Sequence, residues 1–137
     1  MYLADTNILS EATKPAPDRR IVEWLESHEE LIRVSAVTIG EIHYGIELLA
    51  DGRKKADLRK WLLGLRNTFA SSVLPVDDQV ALSWAVLRAS LDRRGRKIPV
   101  VDSLLAATAL QHNLTLVTAN TGDFITSGAK LLDPRAV

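Results

Sequence analysis

Asp5, Glu41, Asp102 and Asp123 lie far apart along the chain, each where a strand end or a helix can aim it into a common pocket. They are embedded in Leu3-Ala4-Asp5-Thr6-Asn7, Thr38-x-x-Glu41, Val101-Asp102 and Thr118-x-Asn120-x-x-Asp123-Phe124. Carboxylates brought together from distant segments repel one another unless a cation lies between them. Oxygen-only ligands, some of them water, suit Mg²⁺ or Mn²⁺. Zinc is harder to accommodate, because it favours nitrogen and sulfur. The chain has no cysteine and only three histidines, His28, His43 and His112.

The elements that must position these acids read as alternating strands and helices. Residues 2–4 form a short buried strand with Asp5 at its carboxyl end. After the loop marked by Pro15 and Pro17, Asp18 caps a helix that turns Ile21, Val22, Trp24 and Leu25 inward. A strand is expected over 31–34, followed by a helix capped by Ser35 and running to about residue 50. Amphipathic spacing of Leu58, Trp61, Leu62, Leu65 and Phe69 predicts a helix over 54–70. A strand over 73–76 follows, and Asp77 or Asp78 opens a helix through Val80, Trp84, Leu87 and Leu91. An apolar, Ala-rich helix spans 102–112, and the last strands cover 114–118 and 130–132. This alternation implies an α/β sandwich on a mostly parallel sheet, one domain over residues 1–137.

In such sheets ligands collect beyond the carboxyl ends of the strands. Asp5 and the Thr118–Asp123 loop lie at such ends, and Asp102 near a helix N-terminus, where negative charge is favoured. Thr38, Glu41 and Gly45 share one stripe of their helix. Gly45 costs that helix about 1 kcal/mol relative to Ala, and close approach of another backbone or of substrate is the expected compensation. Taken singly, Asp102 and Asp123 read equally well as helix caps. Asn7 and Ser10 read as residues that order the backbone after Asp5. Thr118 and Asn120 read as turn residues or as partners of a metal-bound carboxylate.

Formal net charge is zero over 137 residues, but its distribution is uneven. Residues 1–50 carry four Lys/Arg against nine Asp/Glu, and residues 51–97 carry eleven against five. The excess sits in Arg53-Lys54-Lys55, Arg59-Lys60 and Arg93-Arg94-Gly95-Arg96-Lys97. Any one cluster reads first as a solvated helix face; beside an acidic pocket, together they suggest a phosphate backbone. No apolar run reaches the length of a membrane span. No signal peptide is visible, the N-terminus reads as a mature start, and the absence of cysteine fits a reducing cytoplasm.

Together the four segments resemble a PIN-domain nuclease, specifically the VapC-type toxins of toxin–antitoxin modules in their FitB-like branch. The resemblance runs over nearly the whole chain. It rests on residues 3–10, on Ser35 through Glu41 with Gly45, on Asp102 through Ala109, and on Leu116 through Phe124. It implies a PIN-like three-layer sandwich and hydrolysis of RNA phosphodiesters with Mg²⁺ or Mn²⁺. Asp5, Glu41 and Asp102 match the family's first three acids. At the position that often holds the fourth, this chain has Asn120, and Asp123 three residues later supplies the charge instead. One ion would be held chiefly by Asp5 and Asp102, with Glu41 serving a bound water or a second ion about 4 Å away. The resemblance further implies a homodimer, a small cognate antitoxin whose tail covers the pocket, and contact with DNA only through that antitoxin. Residues Arg53, Lys54, Lys55, Arg59 and Lys60 become a candidate surface for RNA or antitoxin.

Other chemistries find less support. An aspartate-nucleophile phosphatase needs an acid two residues after the first Asp, and that position is Asn7. A phosphoacceptor receiver needs a Lys after a late strand, where Thr118-Ala119-Asn120 stands. No G-x-S-x-G elbow, G-x-G-x-x-G fingerprint or P-loop occurs. The remaining alternative is a binding module that keeps the fold and the metal or RNA contact without turnover, acting with its antitoxin as a DNA-bound regulator.

Overall fold

The computed structural model describes residues Met1–Val137. Five short strands form a single sheet: β1 (Tyr2–Ala4), β2 (Ile32–Ser35), β3 (Val73–Leu74), β4 (Thr115–Val117) and β5 (Lys130–Leu132). Their order is β3-β2-β1-β4-β5 and every pairing is parallel. Seven α-helices connect them: α1 (Thr6–Leu9), α2 (Arg19–His28), α3 (Ala36–Glu47), α4 (Arg53–Thr68), α5 (Asp78–Arg93), α6 (Val100–Gln111) and α7 (Thr121–Phe124).

Strand side chains alternate between two faces, and the packing follows that alternation. Leu3 and Leu116 pack with Leu87 and Leu91 of α5 and with Leu105, Ala106 and Ala109 of α6. Ala4, Val117, Ile32 and Val34 pack on the opposite side with Ile8, Ile21, Trp24 and Phe69. Helices therefore cover both faces, giving the expected three-layer sandwich. A smaller apolar cluster, Ile42, Ile46 and Leu62, joins α3 to α4.

Caps set most of the boundaries. Asp18 accepts from the Arg20 amide, Ser35 from the Val37 amide and Asp77 from the Val80 amide. Ile21 and Trp24 are the buried residues of α2, whereas Val22 and Leu25 are half-buried. Leu31, expected in β2, belongs to a 3₁₀ turn instead. β3 stops at Leu74, because Pro75 has no N–H to give the ladder. α3 ends at Glu47 rather than near residue 50. α6 starts at Val100, so Asp102 sits inside its first turn.

Chain connections leave β1 toward β2 and enter β4 from the far side of the sheet. The strand order thus reverses between β1 and β4, the place where parallel sheets open a crevice at their carboxyl ends.

Candidate active site

Asp5 is the residue immediately after β1 and is buried, only 6% exposed. Its amide donates to the Val117 carbonyl at 2.9 Å, which locks it against the end of β4. Its carboxylate accepts three hydrogen bonds: from the Thr6 amide at 2.7 Å, from Thr118 Oγ1 at 2.9 Å and from Asn7 Nδ2 at 3.3 Å. Thr118 is fixed in turn, since its hydroxyl oxygen accepts the Asn120 amide at 3.0 Å. Asn7 Oδ1 accepts the Ala119 amide at 3.3 Å. Asn7, Thr118 and Asn120 thus tie the loops after β1 and β4 into one unit around Asp5. For Asn120 the tie is a backbone contact; no hydrogen bond of its side chain occurs.

Glu41 lies half-buried on α3, and its Oε1 accepts the Thr6 hydroxyl at 2.8 Å. Thr6 therefore serves two acids, its amide holding Asp5 and its hydroxyl holding Glu41. Sequence reasoning placed Thr6 in the motif without a role; its hydroxyl beside a buried Asp was the available signal. Thr38, one turn before Glu41, is fully buried, and its Oγ1 has no hydrogen-bond partner. Gly45 meets no backbone at all. A Cβ there would have nothing within 4 Å, so its smallness widens a groove rather than admitting a neighbouring chain.

Asp102 is half-buried in the first turn of α6, and Asp123 is exposed in α7. Both line one cleft with Gly95, Arg96, Lys97, Pro99, Gly122 and Thr126. Apart from Pro99, no apolar side chain lines this cleft. Thr6 and Glu41 line a separate, larger groove between the β1 loop and the α3–α4 hairpin, about 900 Å³. Glu41 thus opens on one cavity and Asp102 with Asp123 on another, while the buried Asp5 lines neither.

Electrostatics links Asp102 to the other three acids. Burial, then the charges of Asp5, Glu41 and Asp123, push the Asp102 carboxyl up to about 6. Asp5 is also raised, chiefly by burial and additionally by Asp123, against the lowering effect of its bonds from Thr118, Thr6 and Asn7. No Lys, Arg or His forms a salt bridge with any of the four. No three of these side chains close around a single point as a finished ligand set. Mg²⁺ does not require one, because it takes few carboxylates and retains several waters. The donor set is all oxygen, none of its members forms a salt bridge, and burial, then neighbouring carboxylates, raises Asp5 and Asp102. Those properties fit a hard divalent ion.

The basic segment of α4 divides. Arg53 and Lys54 are exposed and line the large groove, and Lys60 is exposed. Arg59 pairs with Glu47 at 2.9 Å. Lys55 is only 8% exposed, and its Nζ donates to the Glu47 carbonyl at 3.3 Å beside Asp51 at 3.4 Å. It caps the C-terminal end of α3 and does not belong to the outer surface.

A model of the PIN domain matches residues 2–126. The chain belongs to the PIN-domain family. This PIN domain is 38% identical over 136 residues to Toxin FitB of Neisseria gonorrhoeae, covering 98% of each chain. It is 31% identical over 136 residues to VapC ribonuclease Y4jK of Sinorhizobium fredii, covering 98% of this chain and 97% of that protein. The solved structure of FitAB bound to the IR36 DNA fragment superposes with a TM-score of 0.91 at 37% identity, over 98% of this chain and 95% of that one. The expected PIN fold and the FitB-like resemblance are both borne out.

Proposed function

We propose that this PIN domain is a Mg²⁺- or Mn²⁺-dependent endoribonuclease, the toxin of a toxin–antitoxin pair, with Asp5, Glu41, Asp102 and Asp123 as its site. The observation that carries the reading is the state of Asp5 and Asp102. Burial and neighbouring carboxylates raise both carboxyls, and neither forms a salt bridge with a Lys, Arg or His. That arrangement is unfavourable for the protein alone and favourable for a bound divalent ion. Relatives called VapC ribonuclease and Toxin FitB supply the substrate class and the biological setting.

When bound, the ion lowers the pKa of a coordinated water and polarises a phosphoryl group. The protein's own residues do the positioning. Thr118, Asn7 and the Thr6 amide hold both Asp5 oxygens in fixed directions, so little reorganisation is left for the reaction. Thr6 Oγ1 aims Glu41. Asp102 and Asp123 present their carboxylates to a polar cleft wide enough, at about 430 Å³, for a nucleotide phosphate.

A small antitoxin is the expected partner, seated over the acidic pocket, and any DNA contact passes through it. No helix is long and apolar enough to cross a membrane. One observation favours a second reading, a DNA-bound regulatory complex with weak turnover. Asn120 occupies the place of an acid, and Asp123, its substitute, is exposed. Incubating antitoxin-free protein with total cellular RNA in Mg²⁺, Mn²⁺ or EDTA separates the two. Products with either metal that vanish in EDTA support the nuclease; RNA left intact by folded protein with both metals favours the regulator.

A further inference from the structure

The cleft that holds Asp102 and Asp123 has a second wall, built from the strap between α5 and α6. α5 ends in a paired set of reverse bonds: the Gly95 amide donates to the Asp92 carbonyl at 3.1 Å and the Arg96 amide to the Leu91 carbonyl at 2.9 Å. This helix stop requires a left-handed residue, and Gly95 supplies it with φ +65°. Further along, Ile98 is 4% exposed and its carbonyl accepts from Arg88 Nη1. Pro99 then caps α6, its carbonyl accepting the Ser103 amide at 2.9 Å. The backbone at positions 96 and 97 is therefore pinned on both sides, and both side chains are exposed and line the cleft.

The cations of this run have different fates. Arg94 is used internally, donating to the Ser90 carbonyl at 3.3 Å and to the Thr126 carbonyl at 3.2 Å. Arg93 is exposed away from the cleft lining. Arg96 and Lys97 share the cleft with two carboxylates and yet form no salt bridge with either. Their charge is thus free for an anion that enters from outside. A carboxylate wall and a guanidinium–ammonium wall on one polar cleft suit a phosphodiester, whose anionic oxygens need both a cation from the acid side and direct donors from the other.

We infer that Arg96 and Lys97 form a phosphate clamp that binds the RNA backbone across the cleft from Asp102 and Asp123. The inference rests on the ribonuclease reading for its substrate and adds the residues that seat it. The clamp binds and orients; it takes no part in proton transfer. An acidic peptide is the competing occupant. Asp102 and Asp123 repel either anion without a divalent ion, so RNA is favoured because the ribonuclease reading of the same cleft supplies it as the occupant.

The test compares wild type, Arg96→Gln/Lys97→Gln and, as a control from the same basic run, Arg93→Gln. A fluorescent single-stranded RNA oligonucleotide is bound in EDTA over a series of salt concentrations, and cleavage is followed in parallel in Mg²⁺. Losing two backbone contacts should lower the slope of log Kd against log salt by about 1.4. It should also raise KM severalfold at little change in kcat, while Arg93→Gln stays at wild-type values. A double variant with wild-type Kd and slope overturns the clamp, whatever the cleavage assay reads. Wild type that cuts no RNA while the double variant loses slope would sink the nuclease reading and leave the clamp standing. If an oligoglutamate peptide loses affinity in the double variant and RNA does not, the clamp belongs to a peptide and the inference is wrong.

Discussion

Thr118 Oγ1 donates to Asp5 Oδ2 at 2.9 Å across 113 residues of chain. That bond joins the ends of β1 and β4 at the point where the strand order reverses. It also fixes the direction of the carboxylate through a hydroxyl that itself accepts the Asn120 amide. The site is thus held from behind by the sheet as well as by local turns.

Replacing Thr118 with Val removes both bonds at nearly constant volume. Cleavage at limiting Mg²⁺ should fall roughly 10–100-fold, the usual effect of losing a partner behind a metal-binding carboxylate, and saturating Mg²⁺ should recover much of it. A Mg²⁺ titration of initial rates in both proteins reads this. An unchanged half-saturation would mean that Thr118 serves the fold alone.

Thr6 offers a narrower case, because only its hydroxyl reaches Glu41. Thr6→Val should lower kcat while Thr6→Ser restores it, with Tm changed by no more than one hydrogen bond allows, about 1 kcal/mol. Equal rates in the Val and Ser variants would remove Glu41 positioning from the account.

Metal-free stability should fall as pH rises past the Asp102 carboxyl. In the folded state that group is raised from 3.8 to about 6, and Asp5 is raised as well. Folded protein therefore binds protons that the unfolded chain has already released between those values. The resulting stabilisation is complete below the unfolded value and is lost as pH climbs through about 6. Asp18, Glu47 and Asp133, lowered by their arginine partners, act in the opposite sense, so the comparison must be with Asp102→Asn. In EDTA, wild-type Tm relative to that variant should decline across this interval. Added Mg²⁺ should raise wild-type Tm more above the interval than below it, since cation and proton compete. Parallel Tm curves for the two proteins would contradict the assignment.

Lys55 separates structural from surface charge. Lys55→Gln should destabilise by about 1–3 kcal/mol through the lost charged hydrogen bond at the end of α3, with RNA affinity unchanged. Denaturant melts and the salt-series binding assay check both halves.

Much of this was legible in the chain. Residues 2–4 and 130–132 were read as strands with their observed limits, and the caps at Asp18, Ser35 and Asp77 are short-range chemistry that a sequence displays directly. Among the acids Glu41 stands out in the sequence itself, because it lies between Ile39 and Ile42 in a largely apolar segment. What was not legible depends on distant contacts. That Lys55 turns inward depends on where the end of α3 lies, which helical periodicity does not reveal. Thr6 had no assigned role until α3 brought Glu41 against it. Gly45 was expected to meet another backbone or substrate, and only the packed α3–α4 hairpin shows that no backbone approaches it. Arg94 and Arg96 stand two apart in one basic run, and the left-handed turn at Gly95 separates an internal tie from a cleft-lining cation.

The most direct test is metal-dependent RNA cleavage by antitoxin-free protein, comparing wild type with Asp5→Asn and Asp102→Asn after each has been shown folded by its thermal transition. We predict products in Mg²⁺ or Mn²⁺, none in EDTA, and loss of at least about a hundredfold in rate in each variant, as for removal of a principal electrostatic group. Cleavage that persists in both folded variants would contradict the assignment of the site to these two carboxylates.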